Sequence, residues 1–142
     1  MPFDPEALKV GIFSHFSGNG TLTAALTGGL HWRKYPEKMP VVYPYASYFF
    51  VSTTNPITFN ETSDETRVQF SVFPRDDDDP NNPSTLDSLV KKLTTAYDLA
   101  DLTVAGHSFT FSKREVGFEI QDEDGTLQHT VDFMMRVSKN RV

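Results

Sequence analysis

Cysteine is missing altogether from the 142 residues. That excludes disulfides, thiolate metal sites and cysteine nucleophiles. No apolar run approaches the ~20 residues that a membrane-spanning helix needs. The start, Met1-Pro-Phe-Asp-Pro-Glu6, lacks the basic residues and apolar stretch of a secretory leader, so a soluble intracellular protein is expected. Positive charge is in short supply: 13 Lys and Arg stand against 19 Asp and Glu, a formal −6 with pI ≈ 5.1. A free-standing nucleic-acid binder needs a basic surface to neutralise phosphates, and this composition argues against one. Apolar residues are sparse at 38%, yet a chain of this length can bury one core. A single domain over residues 1–142 is expected.

What is abundant is aromatic side chains, 13% of the total. They concentrate in Val42-Tyr-Pro-Tyr-Ala-Ser-Tyr-Phe-Phe-Val-Ser-Thr-Thr54. The segment from Tyr45 to Val51 predicts a strand, and a strand sends alternate side chains to opposite faces. Phe49 and Val51 then share one face, Tyr48 and Phe50 the other, and both faces are apolar. We assign Phe49 and Val51 to the core, because Val51 is aliphatic. Tyr48 carries a hydroxyl suited to a partly wet contact, so the face with Tyr48 and Phe50 is either covered by a neighbouring subunit or sandwiched within its own fold, against the helices and the Trp32 segment.

Other elements follow from periodicity and punctuation. Asp4-Pro5-Glu6 is a helix start, with a capping aspartate and proline at the first position. Leu8, Ile12 and Phe16, with Phe13, predict its buried stripe, and Gly18-Asn-Gly20 its end. Leu22 to Leu26 predicts a short helical turn, and Leu30 to Tyr35, which carries Trp32, a short strand. Glu65 to Phe73 alternates: Val68, Phe70 and Val72 face one way, Arg67, Gln69 and Ser71 the other. It pairs with the aromatic strand as an antiparallel hairpin whose tip spans roughly residues 53 to 64. Ser84-Thr-Leu-Asp87 opens a second main helix, with Leu86, Leu89, Val90, Leu93 and Tyr97 on its apolar face. Ser108 to Gln121 and Leu127 to Val137 form a second strand pair around the turn Asp122-Glu-Asp-Gly125. This order predicts an α+β fold: a mainly antiparallel sheet of four or more strands with two helices packed on one face.

Motifs for chemistry are weak. Gly106-His-Ser-Phe-Thr110 approaches a nucleophile elbow but lacks its last glycine and precedes a strand instead of following one. Gly18-Asn-Gly20 lacks the third glycine of a dinucleotide fingerprint. The histidines at 15, 31, 107 and 129 show no metal-ligand spacing, and His129 lies in phase with the apolar face of its strand. Asp76 to Asp79 lacks the glycine and terminal glutamate of a calcium loop and is a solvated acidic loop on this pattern. No catalytic residue, metal site or cofactor is expected.

With these elements in place, the chain resembles the tail completion or tail terminator proteins of long-tailed bacteriophages. The residues that carry the resemblance are Ala24-Ala-Leu-Thr-Gly-Gly29, Pro44-Tyr-Ala-Ser-Tyr-Phe-Phe-Val51 and the partner strand Phe59 to Phe73. The helix over 84–99, Gly106-His-Ser-Phe109 and the closing Thr130–Met135 strand complete it. These are packing patterns, so they transfer no catalytic residue. The acidic run 76–79 and Asn81-Asn82 depart from the family pattern. The resemblance implies a structural protein of the virion neck, assembled in the host cytoplasm. It implies a homohexameric ring that caps the head-proximal end of the tail tube, stops its polymerisation and meets a head-side connector protein. DNA would pass through the lumen without specific binding. It further implies subunit or partner contacts at Trp32, Tyr48, Phe50, Asn55, Phe59 and Arg67. Two alternatives stand beside it: another neck component of the same particle, and a small-ligand-binding domain that uses the aromatic sheet as a pocket.

Overall fold

The computed structural model describes residues 4–36, 40–54, 63–74, 84–121 and 127–139. Helix α1 (Pro5–Ser17) begins where Asp4 accepts a hydrogen bond from the Glu6 amide through its side chain. Helix α2 (Gly20–Ala25) is capped by Asn19, which accepts from the Leu22 amide. The strands are β1 (Leu30–Trp32), β2 (Tyr45–Thr54), β3 (Ser63–Phe73), β4 (His107–Gln121) and β5 (Leu127–Lys139), with α3 (Ser84–Tyr97) between β3 and β4. The hairpin tip after Thr54, Asp76–Asp79 and the Asp122–Gly125 turn lie outside the described residues, as do Asn55 and Phe59.

The five strands lie in the order β1-β2-β3-β5-β4. All pairs are antiparallel except β1, which runs parallel to β2 at one edge. The fold is α+β. The period-2 alternation of β3 and β5 sends Val68, Phe70, Val72, Val131, Phe133, Met135 and Val137 to the core, all essentially inaccessible. Onto this face α1 brings Leu8, Ile12 and Phe16, and α3 brings Leu89, Leu93 and Tyr97. Phe70 and Phe133 meet edge to face at 5.5 Å, and Tyr97 lies against both rings. Its hydroxyl donates to the Ile12 carbonyl at 2.8 Å, tying α3 to α1. Gly11 permits a close approach elsewhere on α1, since a Cβ there would lie 2.7 Å from the Thr103 carbonyl oxygen.

Two expectations about burial are corrected. Phe13 leaves the predicted stripe and is 47% exposed. The larger correction concerns β2, whose faces are the reverse of those assigned from sequence. Tyr48 pairs with Phe70 and is 4% exposed, whereas Phe49 pairs with Gln69 and is 36% exposed. The register decides this: β3 buries its Val68, Phe70 and Val72, so their cross-strand partners Phe50, Tyr48 and Ala46 face the core with them. Val51, 48% exposed, is the extra residue of a β-bulge between Phe50 and Ser52. The bulge rephases the strand, so that Thr53 meets the buried Thr66 beyond it.

Candidate subunit interface

The reversal of β2 moves the exposed apolar surface to an open groove at the β1 edge of the sheet. Its volume is about 610 Å³, and Pro5, Glu6, Lys9, Trp32, Arg33, Phe49 and Phe50 line it. Trp32 forms the floor because the parallel pairing of β1 with β2 puts it beside Tyr48. Its indole packs edge to face on Tyr48 at 5.2 Å and on Phe50 at 4.9 Å. Two cations lean over the indole: Lys9 Nζ at 4.4 Å and the Arg33 guanidinium at 5.5 Å. Such stacking on tryptophan is favourable because the ring face is electron-rich. Glu6, one helical turn before Lys9, pairs with it at 3.0 Å.

The groove's wall is fixed from beneath. The Tyr48 hydroxyl crosses from β2 to α1 and donates to the Lys9 carbonyl at 3.2 Å. Burial, with a smaller contribution from Glu6, pushes the Tyr48 phenol up to about 12. Tyr97, buried beside it, is also raised, by burial first and Tyr48 second. Both phenols are therefore neutral structural donors.

The four described residues among those expected at an interface do not form one cluster. Trp32 and Phe50 are half-buried and share the groove. Tyr48 lies under it, inside the fold. Arg67 stands on the opposite face of the sheet, where it pairs with Asp132 at 3.4 Å. Beside that pair, Arg136 binds Glu65 and lies over Phe111, so this face is charged along its middle.

Several exposed apolar residues were missed from sequence. Phe49 and Val51 are two of them. The polar row Arg67, Gln69 and Ser71 was the available signal, because an antiparallel partner places Phe49 opposite Gln69. Val10 and Phe13, 56% and 47% exposed, sit one turn apart on the outer side of α1. Leu99 is 79% exposed and holds a positive φ of 57°, a conformation that glycine normally supplies at a helix end. Its signal was the helix exit Tyr97-Asp-Leu-Ala-Asp101, which contains no glycine.

Three of the histidines make backbone contacts. His15 contacts the Ala96 carbonyl at 2.6 Å and His31 the Gly28 carbonyl at 2.7 Å. His107 Nδ1 meets the Ala105 carbonyl at 2.8 Å while Nε2 accepts from the Asp4 amide at 3.1 Å. Among the described residues no three His, Asp or Glu side chains cluster in a way that could hold a metal ion.

No protein-family model matches the chain, and no curated protein matches it. Solved structures do share its fold. A chain from the virion of the native gene transfer agent (GTA) particle superposes with a TM-score of 0.79 at 16% identity, covering 94% of this chain and 96% of that one. The bacteriophage SPP1 gp17 protein superposes with a TM-score of 0.56 at 17% identity, covering 95% of this chain and 89% of its own.

Proposed function

We propose that this protein is a structural component of a phage-like virion, a ring subunit that caps the head-proximal end of the tail tube. The observation that carries the reading is the superposition on a GTA virion chain over nearly the full length of both molecules. The bacteriophage SPP1 gp17 protein, of the same fold, supports it.

The physical form of the subunit suits assembly. A ring is built from heterologous contacts, in which two different patches of each subunit meet. Here Phe49, Val51, Val10, Phe13 and Leu99 leave separate apolar areas on the surface of one domain. Trp32 and Phe50, half-buried at the groove, and Arg67, on the opposite face, are the proposed contact residues within the described structure. Asn55 and Phe59 remain proposed contacts on the strength of the sequence. In this reading the homohexamer ends tube polymerisation on one side and offers the other to a head-side connector protein. It holds no cofactor and catalyses nothing. The net negative charge of each copy lets DNA pass through the lumen without being held.

The test is a polymerisation assay with tube protein from the encoding particle. Added at the start of elongation, this chain should shorten the tubes in proportion to its amount. Tube length that does not respond to any excess of it rejects the capping role.

A further inference from the structure

The two long edges of the sheet carry surfaces of opposite form. At the β1 edge lies the groove floored by Trp32 and walled by Phe49 and Phe50, with Lys9 and Arg33 at its rim. At the β4 edge stands Leu99. Its amide donates to the Ser112 carbonyl at 2.7 Å, and the neighbouring Asp98 carboxylate accepts from the Arg114 amide at 2.9 Å. Those two bonds fasten the exit of α3 to the outermost strand. They hold Leu99 in a left-handed conformation with its side chain 79% exposed.

A leucine in that conformation is strained, and among the described residues nothing covers the side chain, which stays 79% exposed. Glycine would make the same turn without strain. A large apolar side chain kept where backbone and solvent both disfavour it points to a contact outside the subunit. The charges agree with a specific one. Leu99 is flanked by Asp98 and the exposed Asp101, while the groove presents Lys9 and Arg33 beside its aromatic floor.

We propose that Leu99 of one copy seats in the Trp32–Phe49–Phe50 groove of the next, with Asp98 and Asp101 facing Arg33 and Lys9. This deepens the ring reading and rests on it, because it names the two patches of the heterologous contact. One copy offers its β4 edge and the other its β1 edge, so the contact propagates from subunit to subunit in a single direction.

Leu99→Gly and Phe49→Asp test the proposal. Leu99→Gly relieves the backbone, so its melting temperature should equal or exceed the wild-type value while self-association weakens at least ~10-fold, as for loss of an anchor residue. Phe49→Asp spoils the groove and places a carboxylate against Asp98 and Asp101. Neither variant should form rings alone. An equimolar mixture retains one intact contact, the Leu99 of one variant in the groove of the other. It should form heterodimers and stop there. Sedimentation velocity at up to about 1 mM reads the dimer. Emission from Trp32, the single tryptophan, should change on mixing. Wild-type-like association by Leu99→Gly, or no heterodimer in the mixture, overturns the contact, whereas rings formed by both variants alone would do so and leave the ring reading standing. If wild-type protein never forms rings at tube ends yet the mixture dimerises, the contact stands and the ring reading fails.

Discussion

Tyr48 and Phe49 are neighbours on one strand, and the fold requires opposite responses when either is changed. Tyr48 is 4% exposed, lies over Phe70 and Trp32, and holds α1 through its hydroxyl. Tyr48→Ala would open a ring-sized cavity in the core and release that bond. Large aromatic-to-alanine changes in cores cost about 3–5 kcal/mol, and a lost hydrogen bond adds about 1 kcal/mol. Domains of this kind are stable by about 5–15 kcal/mol, so Tyr48→Ala removes a large fraction of the total. Tyr48→Asp adds a buried, unpaired carboxylate and should not fold. Phe49, 36% exposed at the groove, faces solvent and nearby cations. Phe49→Asp should therefore cost no more than about 1 kcal/mol. Urea titration followed by circular dichroism measures all three. A folded Tyr48→Asp protein beside an unfolded Phe49→Asp protein would refute the face assignment.

Other consequences follow from the same core. Tyr48 and Tyr97 have phenols raised above their unfolded value, so folded protein keeps protons that unfolded chain releases. Stability is full below pH 10, the unfolded value, and falls as pH rises toward the folded value of about 12 for Tyr48. Melting curves across that range should show the slope, and Tyr48→Phe combined with Tyr97→Phe should reduce it. Tyr97→Phe alone should cost about 1 kcal/mol in urea unfolding, since it deletes the 2.8 Å bond to the Ile12 carbonyl. Asp132→Asn breaks the ion pair between a buried carboxylate and a half-exposed Arg67 at 3.4 Å and should cost about 1–3 kcal/mol in urea unfolding. A change under ~0.5 kcal/mol would show that this pair behaves as an exposed one.

Where one face of a strand is apolar and the other polar, the sequence reads directly. Val68, Phe70 and Val72 alternate with Arg67, Gln69 and Ser71, and the structure buries the first set. The same holds for the run from Val131 to Val137. The aromatic strand lacks that contrast, so its orientation had to be taken from chemistry. The Tyr48 hydroxyl suggested a wet contact, but an α-helical carbonyl lay within reach, and a buried tyrosine is stable with such a partner. The partner belongs to α1, 39 residues away in sequence, so no local pattern could reveal it. The bulge at Val51 was equally hidden, because it is defined only by the register with β3. The groove arises from the parallel pairing of β1 with β2 beside α1, a tertiary arrangement that Trp32 alone does not announce. The strained leucine was the least legible feature, since an apolar residue near a helix end reads as core until its exposure is known.

In the proposed reading this chain forms a ring at one end of a tail tube. Electron microscopy of purified protein mixed with tail tubes from the encoding particle tests it most directly. A six-fold ring is expected on the head-proximal end of each tube and none on the other end. Protein that stays monomeric and decorates neither end would contradict it.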